Sequence, residues 1–352
     1  MHSPRARIPF GLSLLFAAAA LVAMFATMPA SAQGVVNLYT ARHYDSDHQL
    51  YADFTKRTGV KVNVVQAGGN ELIQRVEREG RNSPADVLMA ADAAVIGRAQ
   101  ARGLFRAVES DALEKAIPAN LREPEGYWFG FTTRARVIMY NKALIKPEQL
   151  STYEDLADPK WKGKLLVNSS NTTYNQSLVA SMVAQHGVEA TEAWARGIVA
   201  NMAREPKGAD TEMIGAVYKG EFPLTVANTY YLGNLLKANP DVPILDYIGV
   251  FFPNQTGEGA AGRGAHVNVS GGGLLRYAPN RANAIKFLEF LATPEAQRVF
   301  ADGNSEYPVV PGVEPAARVK AFGSFKMDQV NISQVGKNNI DAVRLMDRVG
   351  WK

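Results

Sequence analysis

Three short segments of this chain put tyrosine in polar, turn-like settings that no apolar stripe accounts for. They are Thr40-Ala41-Arg42-His43-Tyr44-Asp45-Ser46-Asp47, Asn171-Thr172-Thr173-Tyr174-Asn175-Gln176 and Asn228-Thr229-Tyr230-Tyr231. The first also sets an imidazole beside a phenol. Phenol and imidazole both hydrogen-bond and both ligate metals, so His43, Tyr44, Tyr174, Tyr230 and Tyr231 are the residues whose types allow chemistry here. Taken singly, a tyrosine at a helix start also suits packing with a hydrogen-bonded hydroxyl. Each of the three segments, however, follows a predicted strand, and open α/β sheets bind ligands beyond the C-terminal ends of their strands.

The elements that must position these residues read as α/β throughout. Val35-Val36-Asn37-Leu38-Tyr39 is an apolar run of strand length, and residues 47–58 carry Leu50, Tyr51 and Phe54 at helical spacing before Gly59 stops them. Residues 60–65 alternate at period two, Gly68-Gly69-Asn70 reads as a turn and cap, and residues 71–79 set Leu72, Ile73 and Val76 on one face. Residues 86–90 and 93–102 add a third strand and helix, which predicts a parallel β-α-β-α unit. Farther on, residues 136–140, 164–167 and 222–227 read as strands, while 176–185, 189–201, 230–238, 281–291, 294–302 and 339–349 read as helices. Glycine gathers at 257–264 and 271–273 around a strand-like 265–270, which predicts chain that crosses or bends between two lobes.

Composition removes much of catalytic chemistry. The 352 residues include no cysteine, which rules out disulfides, thiolate metal sites, iron–sulfur clusters and cysteine nucleophiles. Residues 1–32 hold Arg5, Arg7 and no acid, so the rest carries 36 basic against 34 acidic residues, too mild an excess for a nucleic-acid partner. Arg5 and Arg7 precede an apolar stretch at 12–27, and Met28-Pro29-Ala30-Ser31-Ala32 supplies small residues for cleavage near Ala32. That pattern predicts an exported, periplasmic protein without an anchor. Gly257-Glu258-Gly259-Ala260-Ala261-Gly262 matches a dinucleotide fingerprint, but Arg263-Gly264 stands where a helix should begin. No phosphate loop, nucleophile elbow or paired-histidine zinc helix occurs, and the four histidines after residue 32 are scattered, so nothing here predicts an enzyme.

Several segments together resemble the periplasmic ferric-iron-binding proteins of ABC transporters, of the FutA and FbpA type. They are residues 39–47, Ser83-Pro84-Ala85-Asp86-Val87, Thr133-Arg134-Ala135-Arg136-Val137, Asp158-Pro159-Lys160-Trp161-Lys162-Gly163-Lys164, Asn228-Thr229-Tyr230-Tyr231 and Glu306-Tyr307-Pro308. The resemblance implies the two-lobed, type II, transferrin-lobe-like solute-binding fold with a hinge of crossing strands. Its lobes would comprise 33–131 plus 260–312 and 132–259 plus 313–352. It further implies a monomer that serves an inner-membrane ABC permease. One branch of that family uses a carboxylate shortly after the Pro-Ala-Asp-Val strand. Here the positions read Ala90-Ala91-Asp92, so that acid is missing or displaced to Asp92. The other branch uses extra tyrosines, and the resemblance then implies Tyr44, Tyr174, Tyr230 and Tyr231 as iron ligands, with His43 as a fifth.

Independently of any family, Fe³⁺ is small, hard and highly charged, and anionic oxygen suits it. A phenol titrates near ~10, so coordination must drive off its proton and binding should weaken in acid. Four phenolates around a trication leave one negative charge, which Arg42, Arg134 or Arg136 could offset. A neutral phenol or His43 would lower the site's charge and bring ferrous iron within range. Asp45 and Asp47 read as caps of the following helix. The alternative function is capture of a small organic or inorganic anion, for which arginines and helix N-termini would matter more than tyrosines.

Overall fold

The computed structural model of the protein describes residues 34–352. The leader and its cleavage near Ala32 lie outside the described residues. Strand β1 (Val35–Thr40) pairs in parallel with β2 (Lys61–Gln66) on one side and β3 (Val87–Ala90) on the other. Helix α1 (Asp47–Thr58) buries Leu50, Tyr51 and Phe54, and ends where Gly59 takes φ 72° and returns its N–H to the Thr55 carbonyl. That conformation costs glycine no Cβ clash. Helix α2 (Gly69–Glu79) buries Leu72, Ile73 and Val76, and α3 (Ala93–Ala101) follows β3. Phe54 meets Phe287 and Phe290 at ring separations of 5.1 and 5.5 Å, so the apolar face of α1 is anchored by aromatic contacts.

After the short α4 (Asp111–Ala116), strand β4 (Phe129–Asn141) runs for 13 residues, all buried. Its two ends serve different halves of the sheet. Residues 129–135 pair antiparallel with β8, whereas residues 136–141 pair with β6 and β7. The second half comprises β5 (Leu165–Leu166), α5 (Thr173–Asn201), α6 (Asp210–Tyr218), β6 (Leu224–Asn228), α7 (Thr229–Ala238), α8 (Ile244–Tyr247) and β7 (Ile248–Phe251). The span 173–201 is two helices parted by a kink at Gly187, whose φ of 79° and ψ of 170° are not helical, in agreement with the separate helices expected at 176–185 and 189–201.

Strand β8 (Val267–Leu274) returns to lie between β3 and β4, giving the order β2-β1-β3-β8-β4-β6-β5. Gly271, Gly272 and Gly273 are therefore extended strand and not a bend. A Cβ on Gly271 would come within 2.3 Å of the Phe129 carbonyl oxygen, and one on Gly272 within 2.4 Å of that of Leu88. Glycine is needed there for close approach of three backbones. Helices α9 (Arg281–Leu291) and α10 (Pro294–Asn304) pack on the first half, and β9 (Tyr307–Pro308) then pairs with β4 at Thr132 and Thr133. The chain finishes with α11 (Ala317–Lys320), α12 (Ser333–Lys337) and α13 (Asn339–Arg348), the last lying along α5. Among the described residues no helix is long and apolar enough to cross a membrane.

Candidate functional site

Strands β5 and β6 are parallel, with Leu165 opposite Leu224, so their C-terminal ends share one edge. Strand β6 leads directly into α7, and β5 reaches α5 through residues 167–172. Tyr174 is the second residue of α5, and Tyr230 and Tyr231 are the second and third of α7. The three rings meet: Tyr230 and Tyr231 lie 4.3 Å apart, and Tyr174 stands edge-on to both at 6.4 and 6.3 Å. The Tyr230 hydroxyl donates to that of Tyr174 at 3.2 Å. Tyr44, on the loop between β1 and α1, lies near enough to interact with Tyr174 and Tyr230 electrostatically, although among the described residues no hydrogen bond or ring contact joins it to the three. Burial pushes its phenol up to about 12; Glu306 and Tyr174 add to the rise, and Arg42 and Arg134 oppose it. Tyr230 is held well above its ordinary value, by burial first and then by Tyr174, Tyr44 and Tyr231. Tyr231 is likewise raised, by burial, Tyr174 and Asp210. Phenols raised in this way stay neutral in the empty site, and it takes a strong cation to draw off their protons. His43 is exposed, and among the described residues no hydrogen bond or ring contact joins it to the four tyrosines.

The three arginines near these rings are buried, and each faces carboxylates. Arg42 donates to Asp47 at 2.7 and 3.0 Å and to Glu306 at 3.3 Å, with its guanidinium carbon 4.7 Å from the Tyr44 ring centre. Arg134 lies 3.7 Å from Asp92, donates to Ser270 Oγ at 3.3 Å and to the Ala91 carbonyl, and sits 5.6 Å from the Tyr174 ring. Arg136 lies 3.5 Å from Asp210 and donates to Asn175 Oδ1 at 2.6 Å and Asn228 Oδ1 at 3.3 Å. Asp47, Glu306, Asp92 and Asp210 thus outnumber the three guanidiniums. Such surroundings favour a cation, while the Nε of Arg134 and of Arg136 stays without a hydrogen-bond partner among the described residues.

Two acids take roles other than those expected. Asp47 does not cap α1. Ser46 occupies the cap without a side-chain bond, and Asp47 grips Arg42, because a buried guanidinium must have a counter-charge. Asp92, the displaced candidate, accepts from the Ala94 N–H at 2.8 Å, Ser177 Oγ at 2.9 Å and Asn268 Nδ2 at 3.0 Å, which occupies both of its oxygens. The glycine fingerprint forms a single 3₁₀ turn (Gly259–Gly262) inside a loop, with no helix after it. Sequence reasoning missed Asn175, Asn228, Asp210 and Glu306. Asn175 follows Tyr174, and Asn228 stands two residues before Tyr230; that repeated asparagine is the local trace of the Arg136 grip.

Comparison with known proteins places this geometry. Residues 49–326 match the family model of the bacterial extracellular solute-binding proteins. Iron uptake protein A1 of Synechocystis sp. is 52% identical over 322 residues, covering 91% of this chain and 88% of that protein. The chain belongs to the bacterial extracellular solute-binding proteins, among the relatives of iron uptake protein A1. A Trichodesmium FutA structure in complex with iron and citrate is 54% identical, covers 91% of this chain and all of its own (100%), and superposes with a TM-score of 0.86. A ferric binding protein from Campylobacter jejuni is 40% identical, covers 90% of this chain and 100% of its own, with a TM-score of 0.82. This solute-binding protein has their type II periplasmic-binding fold, and it is a binding protein and not an enzyme.

Proposed function

We propose that this solute-binding protein captures ferric iron in the periplasm and delivers it to an inner-membrane ABC permease. Tyr44, Tyr174, Tyr230 and Tyr231 act as phenolate ligands, and His43 is the candidate for a fifth position. The observation that carries this reading is the meeting of three phenols from two strand ends, with Tyr44 near enough to interact with them electrostatically, amid an excess of buried carboxylates. Hard anionic oxygen of this kind suits Fe³⁺. The relatives named for iron uptake and the Trichodesmium complex support the same cargo.

The lobe division we propose is 33–131 plus 260–312 and 132–259 plus 313–352. It is supported by the change of partners along β4, from β8 up to Ala135 to β6 from Arg136. Tyr44 then stands on one lobe and the other three phenols on the second, so iron selects the closed form and presents the permease with a shape distinct from the empty one. The protein acts as a monomer after removal of its leader near Ala32.

A visible-absorption titration of the chelator-stripped mature protein with ferric citrate tests the reading. The expected result is a coloured one-to-one complex from tyrosinate-to-iron charge transfer. No colour and no retained iron would overturn it.

A further inference from the structure

The Glu306-Tyr307-Pro308 segment marks the family resemblance yet supplies no ligand. In the fold Glu306 is fully buried, with a side-chain exposure of 0%. One of its oxygens accepts from Ser270 Oγ of β8 at 3.1 Å, and the other from Arg42 Nη1 at 3.3 Å. Its neighbour Ser305 takes φ 56°, a left-handed conformation that costs a residue with a Cβ. The Ser305 hydroxyl donates to Asn234 Oδ1 at 2.8 Å, on α7 one turn beyond Tyr230 and Tyr231. Gly233 of the same helix has no Cβ to hold Ser305 off; one added there would come within 2.5 Å of the Ser305 Cβ. Two consecutive residues therefore reach opposite ways, Ser305 to the helix that bears the tyrosine pair and Glu306 to the arginine under Tyr44. Immediately afterwards β9 ties the same segment to β4.

Charge balance does not require Glu306. Asp47 already matches the single charge of Arg42 through two short hydrogen bonds, and a second buried carboxylate is costly to desolvate. What Glu306 adds is direction. It ties Nη1 to β8 and keeps the guanidinium over the Tyr44 ring and beside Phe300, 5.0 Å from that ring's centre.

We propose that Glu306 is a positioning residue for iron capture: held by Ser270 and acting through Arg42, it keeps the Tyr44 phenol aimed toward the Tyr174, Tyr230 and Tyr231 cluster. The proposal rests on the tyrosine-ligand reading above and assigns the role to a residue 262 positions away from Tyr44 in the chain.

The test is ferric citrate titration of the full mature protein, reading affinity and charge-transfer intensity per bound iron. Glu306→Ala is expected to lower affinity by about 10–100-fold, the range for groups that orient a metal ligand, and to weaken the band. Glu306→Gln, which can accept from Arg42 and donate to Ser270, is expected to recover most of both. In a Tyr44→Phe background Glu306→Ala should cost almost nothing further, because the side chain it positions no longer ligates. Full affinity and an unchanged band in Glu306→Ala would overturn the proposal, as would an equal loss with and without Tyr44. If Glu306→Ala does not fold, Ser270→Ala takes its place, with a smaller loss that must again vanish without Tyr44. Retained iron in Tyr230→Phe, Tyr231→Phe would instead refute the ligand set itself. Loss of iron in that variant beside full affinity in Glu306→Ala would refute the positioning role alone.

Discussion

Tyr44 stands on a loop, backed by an arginine with a carboxylate on either side, whereas Tyr174, Tyr230 and Tyr231 stand on two helix starts and hold one another. The triad is assembled within one half of the sheet, by the parallel pairing of β5 with β6 and by Arg136, which holds Asn175 and Asn228 at the two helix starts. The Tyr44 arrangement joins β1, α1, β8 and the segment after α10. On the ligand set and lobe division proposed above, three phenols are pre-arranged before the cargo arrives, and the fourth would be brought up by closure of the halves.

The largest effect should come from the triad. Tyr230→Phe, Tyr231→Phe is expected to cost more than about 100-fold in iron affinity, beyond what a merely orienting group costs. It should also abolish the charge-transfer colour while leaving the melting temperature nearly unchanged, since both rings remain. Acid should act next most strongly. The Tyr44 phenol lies near 12 before loading and Tyr230 and Tyr231 are raised, so all three are protonated at neutral pH and must lose protons to bind. Affinity should therefore rise with pH, by about tenfold per pH unit for each proton released. Proton release on adding iron to weakly buffered protein counts those protons directly.

Tyr44→Phe is expected to cost about 10–100-fold, comparable to loss of a group that orients ligands, and to leave a weaker coloured complex on the triad. A loss equal to that of the double variant would break the comparison drawn above.

His266 separates acid effects on the fold from those on the site. Burial, then Arg263, Arg136 and Arg134, push its imidazole down to about 3 from an ordinary 6.5. Between those values the unfolded chain holds a proton that the folded chain does not. The stability it contributes is complete above pH 6.5 and is lost progressively as pH falls toward 3. In iron-free protein, His266→Asn should flatten the pH slope of unfolding free energy between pH 6 and 4 by up to about 1.4 kcal/mol per unit, measured by urea denaturation. The smallest effect is expected for His43→Ala, below the roughly tenfold at which ligand-orienting groups begin to register in the same titration.

Residue types and short spacings were enough to show the strands before Tyr44, Tyr174 and Tyr230, the helices after them and the strand near residue 265. Those features are local: a strand, a turn and an amphipathic helix are each decided within about ten residues by periodicity and by where glycine, asparagine and serine fall. The straight course of Gly271 to Gly273 was not legible, because it depends on two neighbouring backbones far away in the chain. The same holds for Asp47 and Asp92, which the sequence offers as a cap and a ligand and the fold turns into partners of buried arginines. Arg42 and Glu306 are 264 residues apart, and Asp92 and Ser177 are 85 apart. The sequence by itself determined which side chains could meet a hard cation and which elements carry them. Only the tertiary structure decided how they are held, because a charge taken out of water must pair with whatever group the fold brings beside it.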